Sequence, residues 1–198
     1  MYVKQDVLAT GLTVIGVSIA VYLSTYELAL YVLFPALLLI FSIVLQLYVL
    51  KKMDYVNHVT NPETVVNIGY YTFLGLVGLL IGNLLIPYFS YPSTIENQAL
   101  SIMSLRLFVT LMAIAEEQFF RGFLLNLFLA LNIPAPAAIF TSALMFAIYH
   151  LRVYGTSYDA LLYVFAAGYM LGYIAYMSQR LSPCMLAHIM NNLIAVGL

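Results

Sequence analysis

Seven apolar runs, parted by short polar or proline-bearing separators, take up almost the whole chain: Val7–Leu23, Leu28–Leu50, Val65–Phe89, Ala99–Leu131, Ala135–Tyr154, Ala160–Met177 and Pro183–Leu198. A helix of ~20 apolar residues crosses the hydrocarbon core of a bilayer. Every run but the fourth is close to that length. In lipid the backbone must satisfy its own hydrogen bonds, so such runs read as helices. Only 8% of the 198 residues are charged, against roughly 25% in a soluble domain. The chain is therefore expected to be an integral, multi-pass membrane protein in contact with membrane lipid. A net charge of −1 gives nucleic-acid binding no electrostatic basis. The lone Cys184 excludes an intramolecular disulfide.

The fourth run has 33 residues, from Ala99 to Leu131, and would make a helix of ~50 Å. Either it is strongly tilted and projects into water, or it breaks near Glu116. Seven helices are expected, or eight with a break. Pro62 and Pro134 sit near helix starts, where a missing N–H is harmless. Pro35 predicts a kink or a late start in the second run. Lys4, Lys51 and Lys52 fall on one side of the first two spans, which puts the N-terminus in the cytoplasm by the positive-inside rule. The first run reads as a retained helix rather than a cleaved signal.

The ionisable groups of the second half are few and clustered within these runs. Charge at membrane depth is unfavourable by about 2.5–3.5 kcal/mol per group, and such groups face protein cavities. In Glu116-Glu117-Gln118-Phe119-Phe120-Arg121-Gly122, Glu117 and Arg121 share a helix face and can pair. Glu116 points ~100° away and is left to face a cavity, where a carboxylate can take a proton from water. Phe146 and His150 share a face one turn apart, so the ring can wall the pocket that the imidazole enters. His188 and Asn192 do the same, and an imidazole with a carboxamide can donate to one developing oxyanion. Together these parts make a water-activating site for peptide-bond hydrolysis without a covalent nucleophile. Glu116, His150 and His188 are also the ligand types of a catalytic zinc, and the residues leave both chemistries open, although the His-Glu-x-x-His spacing is absent. Depth is the obstacle. His150 lies ~22 Å into the fifth run and His188 ~8 Å into the seventh, so tilt or a broken helix must bring them level.

Glu116-Glu117-x-x-Phe120-Arg121-Gly122, Ser142 through His150, and His188-x-x-x-Asn192 resemble, in order and spacing, the three motifs of the CAAX protease and bacteriocin-processing (Abi) intramembrane proteases. That family includes the Ras-converting CAAX endopeptidase. The resemblance covers roughly residues 99–198. It implies an all-α, polytopic bundle of seven or eight transmembrane helices with a conical intramembrane active-site cavity. It also implies an intramembrane endopeptidase acting on a membrane-associated or lipidated peptide. Glu116 would activate water with His150, His188 and Asn192 would hold the oxyanion, and Glu117 with Arg121 would support the architecture. Residues 1–98 carry no family motif and read as scaffold or as a lateral wall for substrate, with 99–198 as catalytic core. The competing readings are a non-catalytic immunity or binding protein of the same fold, and a metal or haem carrier or transporter using His150 and His188.

Overall fold

The computed structural model describes residues 5–6, 8–15, 29–49, 55–56, 62–85, 102–155 and 157–196. These residues are helical throughout apart from turns and one two-residue parallel pairing of β1 (Gln5–Asp6) with β2 (Tyr55–Val56). Helix α1 covers 8–15. It is followed by α2 (Ala29–Val49), α3 (Pro62–Leu85) and α4 (Ile102–Glu117). A π-helical stretch (Gln118–Leu124) then leads into α5 (Leu125–Ala130), α6 (Ala135–Tyr154), α7 (Tyr158–Ser178) and α8 (Ser182–Ala195). Lys4, Lys51, Lys52, His58 and Glu96, and with them the charges that set the topology, lie outside the described residues.

From the second run onward the apolar runs and the described helices coincide to within a few residues, while residues 16–23 of the first run lie outside the described residues. Pro62 opens α3, three residues before the third run begins, because proline at a first helical position loses no hydrogen bond. Pro35 does not delay α2, which starts six residues earlier at Ala29 and continues past it. The fourth run neither ends near Glu116 nor stays a plain α-helix. Its hydrogen bonding widens at Gln118 to the π pattern, so that the Leu125 N–H bonds the Phe120 carbonyl five residues back. It returns to α-helix at Leu125. Such wide turns are rare and concentrate at functional sites.

Among the described residues two helices, Val65–Leu85 and Tyr158–Ser178, are long and apolar enough to cross a membrane. Their outer faces, and that of α2, are apolar and uncovered. Leu37, Phe41, Val44 and Leu47 on α2 and Val66, Phe73, Ile81 and Leu84 on α3 are all exposed. A stripe of that extent on a soluble monomer would drive association. Against lipid it is the favourable surface.

The core lies where α4 and its π-helical extension are enclosed by α2, α6, α7 and α8. Leu111, Ala113, Ala115, Phe120, Leu125, Phe146, Leu171, Leu181 and Met185 are buried there, and α3 closes the bundle against α7 and α8. Close approach of α3 to α7 depends on missing side chains. The Met170 sulfur occupies the space a Cβ on Gly78 would take, and the Tyr163 ring lies 2.9 Å from the corresponding point on Gly82. Small residues of this kind let helices pack where no hydrophobic difference from lipid drives them together.

Candidate active site

Glu116 and Glu117 end α4, one turn before Arg121 in the π stretch, and the three side chains are almost wholly buried. Burying charge is tolerated only with close partners, and Glu117 has them. Its Oε1 accepts from Arg121 Nη1 at 2.8 Å and from His188 Nδ1 at 2.7 Å. Arg121 Nη2 donates to the Gly168 carbonyl of α7 at 2.9 Å, and its guanidinium lies 4.7 Å from the centre of the Phe146 ring. One residue thus ties α4, α6 and α7 together. Phe146 is braced in turn by an edge contact with Phe120, ring centres 5.0 Å apart.

Glu116 points elsewhere. Its two oxygens face two imidazoles, Oε1 at 3.9 Å from His150 Nε2 and Oε2 at 3.7 Å from His188 Nε2. Both gaps exceed a direct hydrogen bond and fall within the span that one water bridges. The ring orientations are set from behind. His150 Nδ1 donates to the Phe146 carbonyl at 2.8 Å, and His188 Nδ1 donates to Glu117. With Nδ1 occupied, each ring turns Nε2 towards Glu116. The depth difference between the two histidines is closed because α8 does not run beside α6. It packs on α3, α4 and α7, and His150 and His188 reach different oxygens of Glu116.

Glu116, His150, His188 and Asn192 line one cavity of about 180 Å³. The rest of its wall is mostly apolar, with Phe108 and Met112 of α4, Val164 and Leu171 of α7, and Phe34 and Leu79 from the N-terminal helices. Asn192 is half-buried on that wall. Its neighbour Asn191 also lines the cavity and accepts from Asn83 Nδ2 of α3 at 2.9 Å. All seven residues singled out in the sequence therefore stand together, with Glu116, Phe146, His150, His188 and Asn192 on the cavity wall and Glu117 and Arg121 behind them.

Zinc would be held by Glu116, His150 and His188. Tetrahedral zinc with donors at 2.0–2.1 Å keeps them about 3.4 Å apart, and both measured gaps are wider. Among the described residues no group of three His, Cys, Asp or Glu is arranged to hold a metal ion. The set does not fit zinc as it stands.

Three polar contacts escaped the sequence reading. Glu117 bonds His188 as well as Arg121. Ser142 of α6 donates to the Phe120 carbonyl at 2.9 Å. Gln46 of α2 donates to Gln118 at 3.0 Å. A buried glutamine within the apolar α2 was the one signal available for the last.

Residues 98–194 match the family described as type II CAAX prenyl endopeptidase, Rce1-like. No curated protein and no solved structure matches the chain. The matched segment holds all seven site residues and spans α4 through most of α8. The chain is a membrane protein related to the CAAX prenyl endopeptidases, a family of proteases.

Proposed function

We propose that the chain is a multi-pass intramembrane endopeptidase that hydrolyses a peptide bond with a water activated by Glu116 and His150. The observation that carries this reading is the placement of one carboxylate within a single water's reach of two imidazoles in an apolar cavity. Residues 99–198 form the catalytic core and residues 1–98 the scaffold and part of the cavity wall, with the N-terminus cytoplasmic.

A water between Glu116 Oε1 and His150 Nε2 gives a proton to the carboxylate and adds its oxygen to the scissile carbonyl carbon. The oxyanion formed accepts from the Asn192 amide and from His188 Nε2–H. For that role His188 carries a second proton, its Nδ1–H staying on Glu117. Glu116 and Glu117 then balance Arg121 and His188, two charges against two, which suits a group held away from water. Collapse of the intermediate breaks the C–N bond, and Glu116 returns the proton to the leaving nitrogen. The products are a carboxylic acid and an amine.

The substrate of this reading is a membrane-associated or lipidated peptide. The apolar wall around the polar end accepts an aliphatic or prenyl group beside the scissile bond, and kinship with prenyl endopeptidases favours that class. The test is Glu116→Gln in purified protein reconstituted in lipid, assayed on a farnesylated peptide ending in Cys-aliphatic-aliphatic-X. A fall of about 100- to 10,000-fold in kcat is expected for loss of a general base. Wild-type turnover by the folded variant would refute the mechanism.

A further inference from the structure

We propose that Gln46, in the N-terminal part of the chain, is a positioning residue that sets the direction of the Glu116 carboxylate through the π-helical stretch. This rests on the protease reading above. Gln46 is 2% exposed within a helix whose other face meets lipid. A buried amide is unfavourable there unless its hydrogen bonds are made. Gln46 Nε2 donates to both the backbone carbonyl and the side-chain Oε1 of Gln118, each at 3.0 Å. Gln118 in turn donates through Nε2 to Thr13 Oγ1 of α1 at 2.6 Å. Room for this comes from Gly122, one turn on, because a Cβ there would collide with the Gln46 amide nitrogen and lie 2.9 Å from Gln118 Oε1. Glycine at 122 thus seats the amide against the π stretch.

The attachment falls on the first residue after Glu116-Glu117. On the far side Ser142, from the helix that also carries Phe146 and His150, holds the Phe120 carbonyl. The wide turn is gripped from α2 at Gln118 and from α6 at Phe120. That grip fixes the rotation of the last turn of α4 about its own axis. A rotation of about 10° carries a carboxylate lying about 6 Å from the helix axis through about 1 Å. The Glu116 oxygens stand 3.7 and 3.9 Å from the imidazoles, so such a movement closes one gap to direct contact and opens the other. Misplacement of about 1 Å can lower catalysis on the order of 100-fold.

The test uses the full chain in lipid nanodiscs with the farnesylated peptide, and reads kcat, KM and amide hydrogen exchange by mass spectrometry. Gln46→Leu keeps the bulk and removes the donor. It is expected to lower kcat on the order of 100-fold and to leave KM within about threefold, since Gln46 does not line the cavity. Exchange should rise across 114–124 while 160–178 keeps wild-type protection. Gly122→Ala, which displaces the amide without altering it, should reproduce both effects, and the double variant should be no worse than Gln46→Leu alone. Wild-type kcat in folded Gln46→Leu overturns the proposal. If that variant does not fold, Gly122→Ala decides, and wild-type kcat there overturns it equally. If wild-type protein cleaves no peptide while Gln46→Leu still loosens 114–124 alone, the clamp stands and the protease reading fails.

Discussion

His188 and Glu117, 71 positions apart, share a hydrogen bond of 2.7 Å, and the Glu117 oxygen that receives it also receives Arg121 at 2.8 Å. A carboxylate that pairs with Arg121 and a second donor in a buried site is hard to remove alone, because Arg121 would be left as an unpaired buried charge. Glu117→Ala should therefore destabilise the protein by about 3–5 kcal/mol. Adding Arg121→Ala should restore part of the loss. Thermal unfolding in detergent of the two single variants and the double checks this. Strict additivity would show that the pair does not act as a unit.

Asn192 lies on the cavity wall one turn from His188, where its amide can meet an oxyanion but supports no buried charge. Asn192→Ala should lower kcat by about 100- to 1,000-fold and leave the unfolding temperature within a few degrees. An equal rise in KM with kcat preserved would assign Asn192 to substrate binding instead.

Phe146 is 3% exposed, carries the Arg121 guanidinium on its face and lies 4.4 Å from the His150 ring, centre to centre. Phe146→Ala should lose about 3–5 kcal/mol of stability from cavity formation. Phe146→Leu should keep most of the stability and still lower turnover, since it restores volume but not the aromatic face. Denaturation and steady-state assays on the same preparations separate the two effects.

The spacing of Glu116 from both imidazoles predicts hydrolysis without zinc. Incubation with a strong zinc chelator should leave kcat unchanged. Inactivation that stoichiometric zinc reverses would show that the three groups close in on a metal during turnover.

The helices and the gathering of these candidate residues in one place were legible in the sequence for one physical reason. Groups such as Glu116, Arg121, His150 and His188 cannot face lipid, so helices that carry them must turn them towards one another. Which groups then pair was less accessible. Glu117 with Arg121 follows from spacing along one helix, whereas Glu117 with His188 depends on α8 packing beside α4. The π stretch was hidden for a similar reason. Nothing in Gln118–Leu124 by itself rejects an α-helix. The wide turn is held by Gln46 and Ser142, which lie far off in the chain, and the run could only be recognised as too long for one straight span.

The seating of Met170 over Gly78 and of Tyr163 over Gly82 works like a key in a lock. Parting α3 from α7 would mean withdrawing a thioether and a phenol ring together, and sliding one past the other would drive both into backbone. On the protease reading proposed above, that seam would bar a bulky lipidated chain arriving sideways from the bilayer. Where α2 reaches the cavity the wall includes the ring of Phe34, stacked on Tyr149 with centres 6.4 Å apart, and a swing of that aromatic is a lesser obstacle than unseating the two keyed side chains.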